Sequence, residues 1–385
     1  MALDRLSLIR PSLIRLPMIV LALLVQLPVP ARADSFPEPV DTQATENQPL
    51  TPANEALRRL TLPPGFHASL FASEPDIRQP IAMTFDARGR LWVAENYTYG
   101  DGATPVDHTL RDRIVVFDDT HGDGHADRRS VFWDRGHMLT SIAIGLGGVY
   151  ALCPPQLLFI PAAEGMDHPS GEPQVLLDGF DVVTARHTVA NGLKWGPDGW
   201  LYGRHGILAT SHVGRPGALE SERVPLSCGI WRFHPGRRVF DVVARGTTNP
   251  WGMDWDGQGE GFFINTVIGH LWHLIPGAHY RRMYGEDPDP HAYGAIEQHA
   301  DHVHWATGEA WTAVRSGGPT DATSAAGGGH AHSGLMIYQG SNWPKPFQDA
   351  LFTLNFHGQR VNMDLLAPEA LGIRRSSCPR YDHQR

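Results

Sequence analysis

The sequence predicts an all-β protein, more specifically a β-propeller, and two observations carry this prediction. The 385-residue chain contains 41 glycines and 31 prolines, which suit many short strands separated by turns. A small residue followed by an apolar one also recurs every ~50 to 60 residues, a step that fits one four-stranded blade with a generous loop. These pairs are Ala82-Met83, Ser141-Ile142, Gly192-Leu193 and Gly252-Met253. Six blades would be natural, but strand-like sequence accounts for only about five.

The amino terminus has the pattern of a secretory signal peptide. Arg5, Arg10 and Arg15 precede or open an apolar run. That run is followed by Ala31-Arg32-Ala33, a small-residue cleavage site. An uncleaved anchor is the alternative, but the run is short for a membrane span and ends at prolines. We therefore expect residues 1–33 to be removed and the protein to be exported to the periplasm or cell envelope, without a transmembrane span.

Composition divides the remaining chain into three parts. Residues 34–56 are rich in Pro, Gln, Thr and Glu and are predicted to be a linker. Residues 57–366 carry the strand pattern and form the predicted propeller. Residues 367–385 lack a strand pattern, which predicts an irregular tail of the kind that a truncated or frameshifted reading frame produces.

Charge and cysteine content exclude two classes of partner or cofactor. The formal charge is −9 and no Lys/Arg-rich stripe is present, so we expect no nucleic-acid binding. The three cysteines, Cys153, Cys228 and Cys378, lack CxxCH spacing, so the chain itself carries no covalent haem. For Cys153 and Cys228, a disulfide and two buried free thiols are both open.

Residues 186–206 combine a predicted β-hairpin with polar groups that a hairpin does not need. Pro197-Asp198-Gly199 is a turn between two apolar strands. His187 and Asn191 stand before the first strand, and Arg204-His205 follow the second. The hairpin is therefore expected to present these groups at one end of a sheet.

Two sister hairpins carry polar groups at comparable positions. Glu95 ends the first hairpin of the chain, and Asn249 precedes the fourth small-apolar pair. Taken singly, Asn191 and Asn249 are typical turn residues. Because equivalent blade positions converge on the axis of a propeller, we expect the three side chains to approach one channel site.

A loop between two predicted strands resembles a calcium-binding loop. Asp119, Asp123 and Asp127 occupy positions 1, 5 and 9, with glycine at position 6. His121 stands where an oxygen ligand is expected, and Ser130 replaces the bidentate glutamate. A weak calcium site and a plain acidic turn are both compatible with this pattern.

The stretch 277–332 is dense in histidine. Asp301-His302-Val303-His304 places two imidazoles on one face of a strand, and His330-Ala331-His332 repeats the spacing. This insertion is expected either to close one end of the propeller or to hold a metal, and it is a candidate for substrate contact.

Several motifs together resemble the membrane-bound dehydrogenase family, whose propellers are similar to soluble quinoprotein glucose and sorbosone dehydrogenases. The resemblance covers roughly residues 57–366 and is carried by Leu62-Pro-Pro-Gly-Phe, Phe71-Ala-Ser-Glu-Pro, Gly89-Arg-Leu-Trp-Val-Ala-Glu, Asn191-Gly-Leu-x-Trp-Gly-Pro-Asp-Gly-x-Leu-Tyr, Asn249-Pro-Trp-Gly-Met, Ala300-Asp-His-x-His-Trp and Asn355-Phe-His-Gly-Gln-Arg-Val-Asn.

The resemblance implies an oxidoreductase that uses pyrroloquinoline quinone (PQQ) to oxidise a sugar or related alcohol. It implies His187 as general base and Asn249, with Asn191, as cofactor contacts. The arginine of the family's Arg-Asn-Pro motif is Thr248 here, so Arg245, Arg204 or Arg186 is the expected replacement. Longer relatives carry a haem domain, which implies a cytochrome c as electron acceptor.

Two other functions follow from the same residues. Glu95, Asn191 and Asn249 also resemble the ligands of calcium-dependent gluconolactonase-like propellers, in which the ion polarises an ester carbonyl. A propeller that binds a carbohydrate or a protein without catalysis is the third possibility, because a fold does not fix a function.

Overall fold

The computed structural model describes residues 36–37, 51–100, 104–267, 269–291, 295–296, 309–325, 328, 331–369 and 372–376. The predicted signal peptide lies outside the described residues, as does most of the predicted linker. Helix α1 (Ala53–Arg58) begins inside that linker, so the expected boundary at residue 56 falls within a helix.

Five antiparallel sheets follow one another along the chain, each formed by one contiguous segment, which confirms a propeller of five blades. Blade 1 contains β1 (Pro80–Phe85), β2 (Leu91–Glu95), β3 (Asp112–Asp118) and β4 (Arg128–Gly136). Blade 2 contains β5 (Ser141–Gly145), β6 (Gly148–Cys153), β7 (Gln156–Pro161) and β8 (Gln174–Leu177). Blade 3 contains β9 (Asn191–Trp195), β10 (Leu201–His205), β13 (Gly229–His234) and β14 (Val239–Arg245), with the hairpin β11 (Ser211–Val213) and β12 (Val224–Leu226) inserted after β10.

Blades 4 and 5 are separated by an insertion with two short helices. Blade 4 contains β15 (Pro250–Trp255), β16 (Gly261–Asn265) and β17 (Leu271–Leu274). The helices are α2 (Trp311–Gly317) and α3 (Asp321–Ala325). Blade 5 contains β18 (His332–Ile337), β19 (Leu351–Asn355), β20 (Arg360–Glu369) and β21 (Gly372–Ser376). Because β20 and β21 pair, strand structure continues past residue 366, where an irregular tail is expected from the sequence.

The small-apolar pairs of the sequence lie on the first strand of each blade. They fall on β1, β5, β9 and β15, and these first strands contact one another in that order, followed by β18. Asp254 of β15 links two of its neighbours, since it pairs with Lys194 of β9 at 2.8 Å and accepts a hydrogen bond from the Ile337 amide of β18 at 2.9 Å. The first strands therefore surround the propeller axis.

The core consists of four apolar layers between successive blades. Alternation of side chains along each strand sends one set toward the preceding blade and the other toward the following blade. Paired examples, in blade order, are Trp92 with Ile142, Tyr150 with Trp231, Tyr202 with Phe263 and Ile264 with Leu335. Each blade except the first and the last therefore contributes side chains to two of these apolar layers.

The outward face of blade 1 is covered by the segment 66–77, here called the strap. Phe71 and Ile77 pack against Val93 and Phe117 of this face. The Phe71 carbonyl accepts a hydrogen bond from the Ala126 amide at 2.9 Å. At its other end the strap reaches blade 5, where the Phe66 ring contacts the rings of Trp343 and Phe347 at 5.5 and 4.8 Å.

Blade 5 has one buried face and one free face. Leu335, Ile337 and Leu351 pack toward blade 4. The free face carries Leu354 and Val361, which lie opposite each other on β19 and β20 and are 54% and 56% exposed. The two side chains form an exposed apolar pair on this face.

The described residues bear on two questions from the sequence: whether Cys153 and Cys228 form a disulfide, and whether a helix could cross a membrane. Cys153 and Cys228 are both buried free thiols rather than a disulfide. The longest described helix has seven residues, and no described helix has the length and apolar character needed to cross a membrane.

Candidate functional site

Polar side chains occupy the end of the propeller at which the first strands begin, here called the channel end. The second strand of each blade ends opposite the start of the first strand, so its last residues lie at this end. The paired positions are Pro80 with Glu95, Asn191 with Arg204, Pro250 with Asn265, and His332 with Asn355. Glu95, Asn191, Arg204, Asn265 and Asn355 are all buried.

Asn191 and Arg204 form one unit across the hairpin of blade 3. Arg204 Nε donates to Asn191 Oδ1 at 3.1 Å. Gly192 lies directly under the guanidinium: a Cβ there would overlap it, and the backbone φ of +66° is one that L side chains rarely adopt. Gly192 therefore has two roles: it adopts the positive φ, and its lack of a side chain leaves space for the Arg204 guanidinium.

Arg204 is a buried cation without a carboxylate partner among the described residues. Its exposed fraction is 7%, and its one side-chain hydrogen bond goes to a neutral amide. Burial lowers the pKa of Arg204 to about 9, because the charged form loses its hydration.

Asn249 is brought next to this unit by blade 4. The Asn265 side-chain oxygen accepts hydrogen bonds from the amides of Thr248 and Asn249 at 3.3 and 3.0 Å, which fixes the approach to β15. Asn191 Nδ2 donates to the Pro250 carbonyl at 3.3 Å. The Asn191 and Asn249-Pro250 motifs, 58 residues apart in the chain, are thereby neighbours.

His187 lies on an exposed turn that precedes β9. The turn is a single 3₁₀ segment, Arg186–Thr188, and Arg186 has a positive φ of 49°. Thr188 fastens it to the end of β10, since its carbonyl accepts from the Gly206 amide at 2.9 Å. The Thr188 hydroxyl oxygen also accepts from the Leu208 amide at 3.2 Å. His187 therefore belongs to the same end of blade 3 as Arg204.

Two predicted site residues are engaged with opposite charges. Arg245, at the end of the outermost strand of blade 3, pairs with Asp287 and Asp289, each at 3.3 Å. Glu95 pairs with Arg113 and accepts a hydrogen bond from the Tyr97 hydroxyl at 2.8 Å. The charges of Arg245 and Glu95 are thus compensated inside the protein, unlike that of Arg204.

The predicted calcium loop turns between β3 and β4, on the outer side of blade 1. Asp119 accepts hydrogen bonds from the amides of Gly122 and Gly124, both at 2.7 Å, and these bonds hold its pKa below the usual value. Asp127 accepts from Thr120 and pairs with His121. The carboxylates of Asp119 and Asp127 bond within the loop itself, and Asp123 accepts a hydrogen bond from the nearby His125 amide at 3.0 Å.

His205, which directly follows Arg204, is buried in a hydrogen-bonded pair. Its Nε2 lies 2.7 Å from the Ser211 hydroxyl and its Nδ1 2.7 Å from the Gly206 carbonyl. The carbonyl can only accept, so Nδ1 carries the proton and the serine donates to Nε2. Burial lowers the pKa of His205 to about 4.

Residues of blades 4 and 5 form a second polar cluster, which the motifs of the sequence did not predict. The rings of His270 and His332 stack with centroids 4.1 Å apart, and both are fully buried. Asp364 Oδ2 lies 3.9 Å from His270 Nε2. The second strands of blades 4 and 5 both end in asparagine, at Asn265 and Asn355. This repeat is the sequence signal that could have pointed to a polar cluster at this end of the two blades.

No described group of three His, Cys, Asp or Glu side chains is arranged to hold a metal ion. Of the histidine-rich stretch, His332 lies at the channel end, whereas His299, His302, His304 and His330 fall outside the described residues. The alternative of a metal site there stays a prediction.

Comparison with known proteins gives the family. The sequence model of DUF7133, a domain of unknown function, matches residues 52–381. The chain belongs to the DUF7133 family. Its sequence matches no curated protein.

Solved structures similar to this DUF7133 chain include sugar dehydrogenases. An oxidoreductase of Thermus thermophilus described as a glucose dehydrogenase is 18% identical over 78% of this chain and 82% of its own, with a TM-score of 0.46. The PQQ-bound aldose sugar dehydrogenase of Streptomyces coelicolor is 18% identical over 77% and 79%, with a TM-score of 0.43. A Bacteroides uniformis protein described as a 6-phosphogluconolactonase is 11% identical over 77% and 70%, with a TM-score of 0.39. At these values the similarities indicate nothing about the chemistry of this DUF7133 chain.

Proposed function

We propose that the protein is an exported oxidoreductase that oxidises a sugar or related alcohol at its channel end, with PQQ as cofactor. The observation that carries the proposal is that the Asn191-Arg204 unit of blade 3 meets Asn249-Pro250 of blade 4, at the end where the exposed turn of blade 3 presents His187. The sequence resemblance assigns the general base and cofactor contacts to these same positions.

The residues at the channel end suit a cofactor that carries carboxylates. Arg204 offers a guanidinium whose charge no described carboxylate compensates. A buried cation of this kind is stabilised when a ligand supplies the opposite charge. Thr248, at the position of the family's arginine, is a buried neutral residue. Arg204 would therefore supply the cation, and Asn191 would hold its guanidinium in place.

The proposed chemistry needs one base from the protein. When bound, PQQ supplies the hydride acceptor. His187 would take the proton of the substrate hydroxyl, which requires a neutral imidazole within hydrogen-bond reach of that oxygen. The bonds of Thr188 to Gly206 and Leu208 would keep the turn in place during this transfer.

The decisive experiment is reconstitution of the protein with PQQ, followed by reduction of an artificial dye with glucose as substrate. His187→Gln should lower kcat by about 10²- to 10⁴-fold, the usual contribution of a general base. PQQ binding, measured by titration, should be unchanged. His212→Gln, an exposed histidine on β11, is the matched control and should keep full turnover. Unchanged turnover in His187→Gln would exclude the assignment.

Export and the electron acceptor complete the proposal. The Arg-rich, apolar amino terminus with its Ala31-Arg32-Ala33 site supports secretion. The resemblance to relatives with a haem domain supports a cytochrome c as the electron acceptor. The calcium-dependent lactonase has no comparable support, since Glu95 is already paired with Arg113.

A further inference from the structure

The connection between β2 and β3 carries a short hairpin at the channel end, here called the rim hairpin (residues 96–100 and 104–107). Tyr99 pairs with Val106 in an antiparallel bridge. Two backbone hydrogen bonds flank this pair, from the Asp107 amide to the Thr98 carbonyl at 2.8 Å and from the Gly100 amide to the Pro105 carbonyl at 3.1 Å. Tyr99 and Val106 are therefore a directly opposed pair without mutual hydrogen bonds, and their side chains lie on the same face of the hairpin.

Val106 places this face of the rim hairpin against the turn that carries His187. It packs on a buried apolar cluster that includes Ala185 and Val189, the two residues that flank the turn. Since Tyr99 shares the face of Val106, its ring stands at the edge of this cluster, beside the turn. The Tyr99 residue is nevertheless 49% exposed, so part of the ring is open to a ligand.

The buried carboxylate of Asp112 fixes the base of the rim hairpin. It accepts hydrogen bonds from the amides of Tyr97 and Thr98 at 2.7 and 2.9 Å, and from the Thr98 hydroxyl at 2.8 Å. The Tyr99 amide donates to Asn96 Oδ1 at 2.9 Å. The backbone that carries the Tyr99 ring is thus held before any ligand arrives, which lowers the entropy that binding would cost.

We infer that Tyr99 is a stacking surface for the ring of a pyranose sugar and makes the protein select cyclic sugars over linear alcohols. A pyranose has an apolar C–H face with hydroxyls at its rim, and tyrosine has an apolar ring face with a polar tip, so the two surfaces match. A linear polyol has no comparable flat face. The inference rests on the proposed function for the position of the reacting hydroxyl, near His187, and it names the class of substrate.

The experiment measures binding of glucose, xylose and glycerol by calorimetry, in the absence and in the presence of PQQ. Wild-type protein should bind at least one of the two sugars, and should bind it more tightly than glycerol. Tyr99→Leu should weaken sugar binding by about 3- to 10-fold, the usual contribution of an aromatic contact, and leave glycerol binding unchanged. Tyr99→Phe, which keeps the ring, should bind sugar as wild type does.

A second aromatic residue and a second variant of the rim hairpin serve as controls. Phe85 is 61% exposed and ends β1, away from the channel end, so Phe85→Leu should leave sugar binding unchanged. Val106→Ala keeps the Tyr99 ring but loosens its support beside the turn, and it should weaken sugar binding as well. Tyr99→Leu should melt as wild type, because the residue is half exposed. A lower melting temperature with unchanged sugar binding would show that Tyr99 is only structural.

The outcomes separate this subsite from the proposed reaction. Sugar binding that depends on Tyr99 without dye reduction would support the subsite and reject the proposed oxidation. Dye reduction by Tyr99→Leu with the KM of wild type would support the oxidation and reject the subsite. If neither sugar binds wild-type protein, or if Tyr99→Leu loses sugar and glycerol binding equally, the inference is wrong.

Discussion

Burial lowers the pKa of two neighbouring side chains of β10, Arg204 and His205, but the two have different hydrogen-bond partners. Arg204 donates to Asn191, whereas His205 is fully buried and neutral, with Ser211 as partner. The difference arises because alternate residues of a strand point to opposite faces. One residue is therefore suited to meeting a ligand and the next to packing blade 3 against its inserted hairpin.

His205 predicts a loss of stability in weak acid. Its pKa is about 4 in the folded protein, below its usual 6.5. Between these values the unfolded chain binds the proton and the folded protein does not, so the free energy of unfolding falls as pH drops. The contribution is complete above pH 6.5 and is lost toward pH 4, and about 2 kcal/mol of it should be gone at pH 5.

Urea unfolding at pH 7.5 and pH 5 checks this expectation. His205→Gln, whose amide can still pair with Ser211, should lose less stability than wild type between the two values. His212→Gln, at an exposed histidine, should behave as wild type. An equal loss in all three proteins would assign the effect to other groups.

Sequence reasoning named several candidate site residues but could not choose among them. It offered Arg186, Arg204 and Arg245 as the replacement cation. The choice depends on ion pairs that only the fold creates, such as the one between Arg245 and Asp287, 42 residues apart. Likewise, Glu95 ends a strand as expected, but its pairing with Arg113 across β2 and β3 is a property of strand register.

At the scale of elements, the strap contacts blade 5 through aromatic rings rather than through strand pairing. Phe66→Ala removes the edge contacts to Trp343 and Phe347 and should lower the free energy of unfolding by about 1 to 2 kcal/mol. Amide exchange in the loop between β18 and β19 should accelerate. His67→Ala, its exposed neighbour, should change neither quantity.

The opposite result would be informative about the strap. If Phe66→Ala melts as wild type and exchange is unchanged, the strap does not tie blade 5 to the remainder of the described propeller.

The hairpins themselves were predictable, because the turn Pro197-Asp198-Gly199 is local. The strap was not, because Phe66 meets residues almost 280 positions away.

At the scale of the molecule, the free face of blade 5 is expected to bind apolar dyes and to promote association. Leu354→Lys should reduce fluorescence of a bound hydrophobic dye and light scattering at high protein concentration. Stability should change by no more than about 0.5 kcal/mol, since Leu354 is already half exposed. Leu219→Lys, at an isolated exposed leucine, should leave dye binding unchanged, and equal effects of both would contradict the expectation.

The number of blades was predictable for a physical reason. Each blade is a contiguous segment, so its strands and turns leave a local pattern, and the small-apolar pairs mark its first strand. The end of blade 5 was missed because β20 and β21 lack a clear alternation of apolar residues. Their pairing, Leu365 with Ser376 and Ala367 with Arg374, is set by the neighbouring strands.

The contact between Phe66 and Trp343 also has a consequence for folding kinetics. The strands of each blade come from one contiguous segment, so each blade can form soon after its own segment is available. The strap must instead close a loop of almost 280 residues, at a larger entropic cost. Docking of Phe66 on blade 5 is therefore expected to be among the slowest steps, following the assembly of the individual blades.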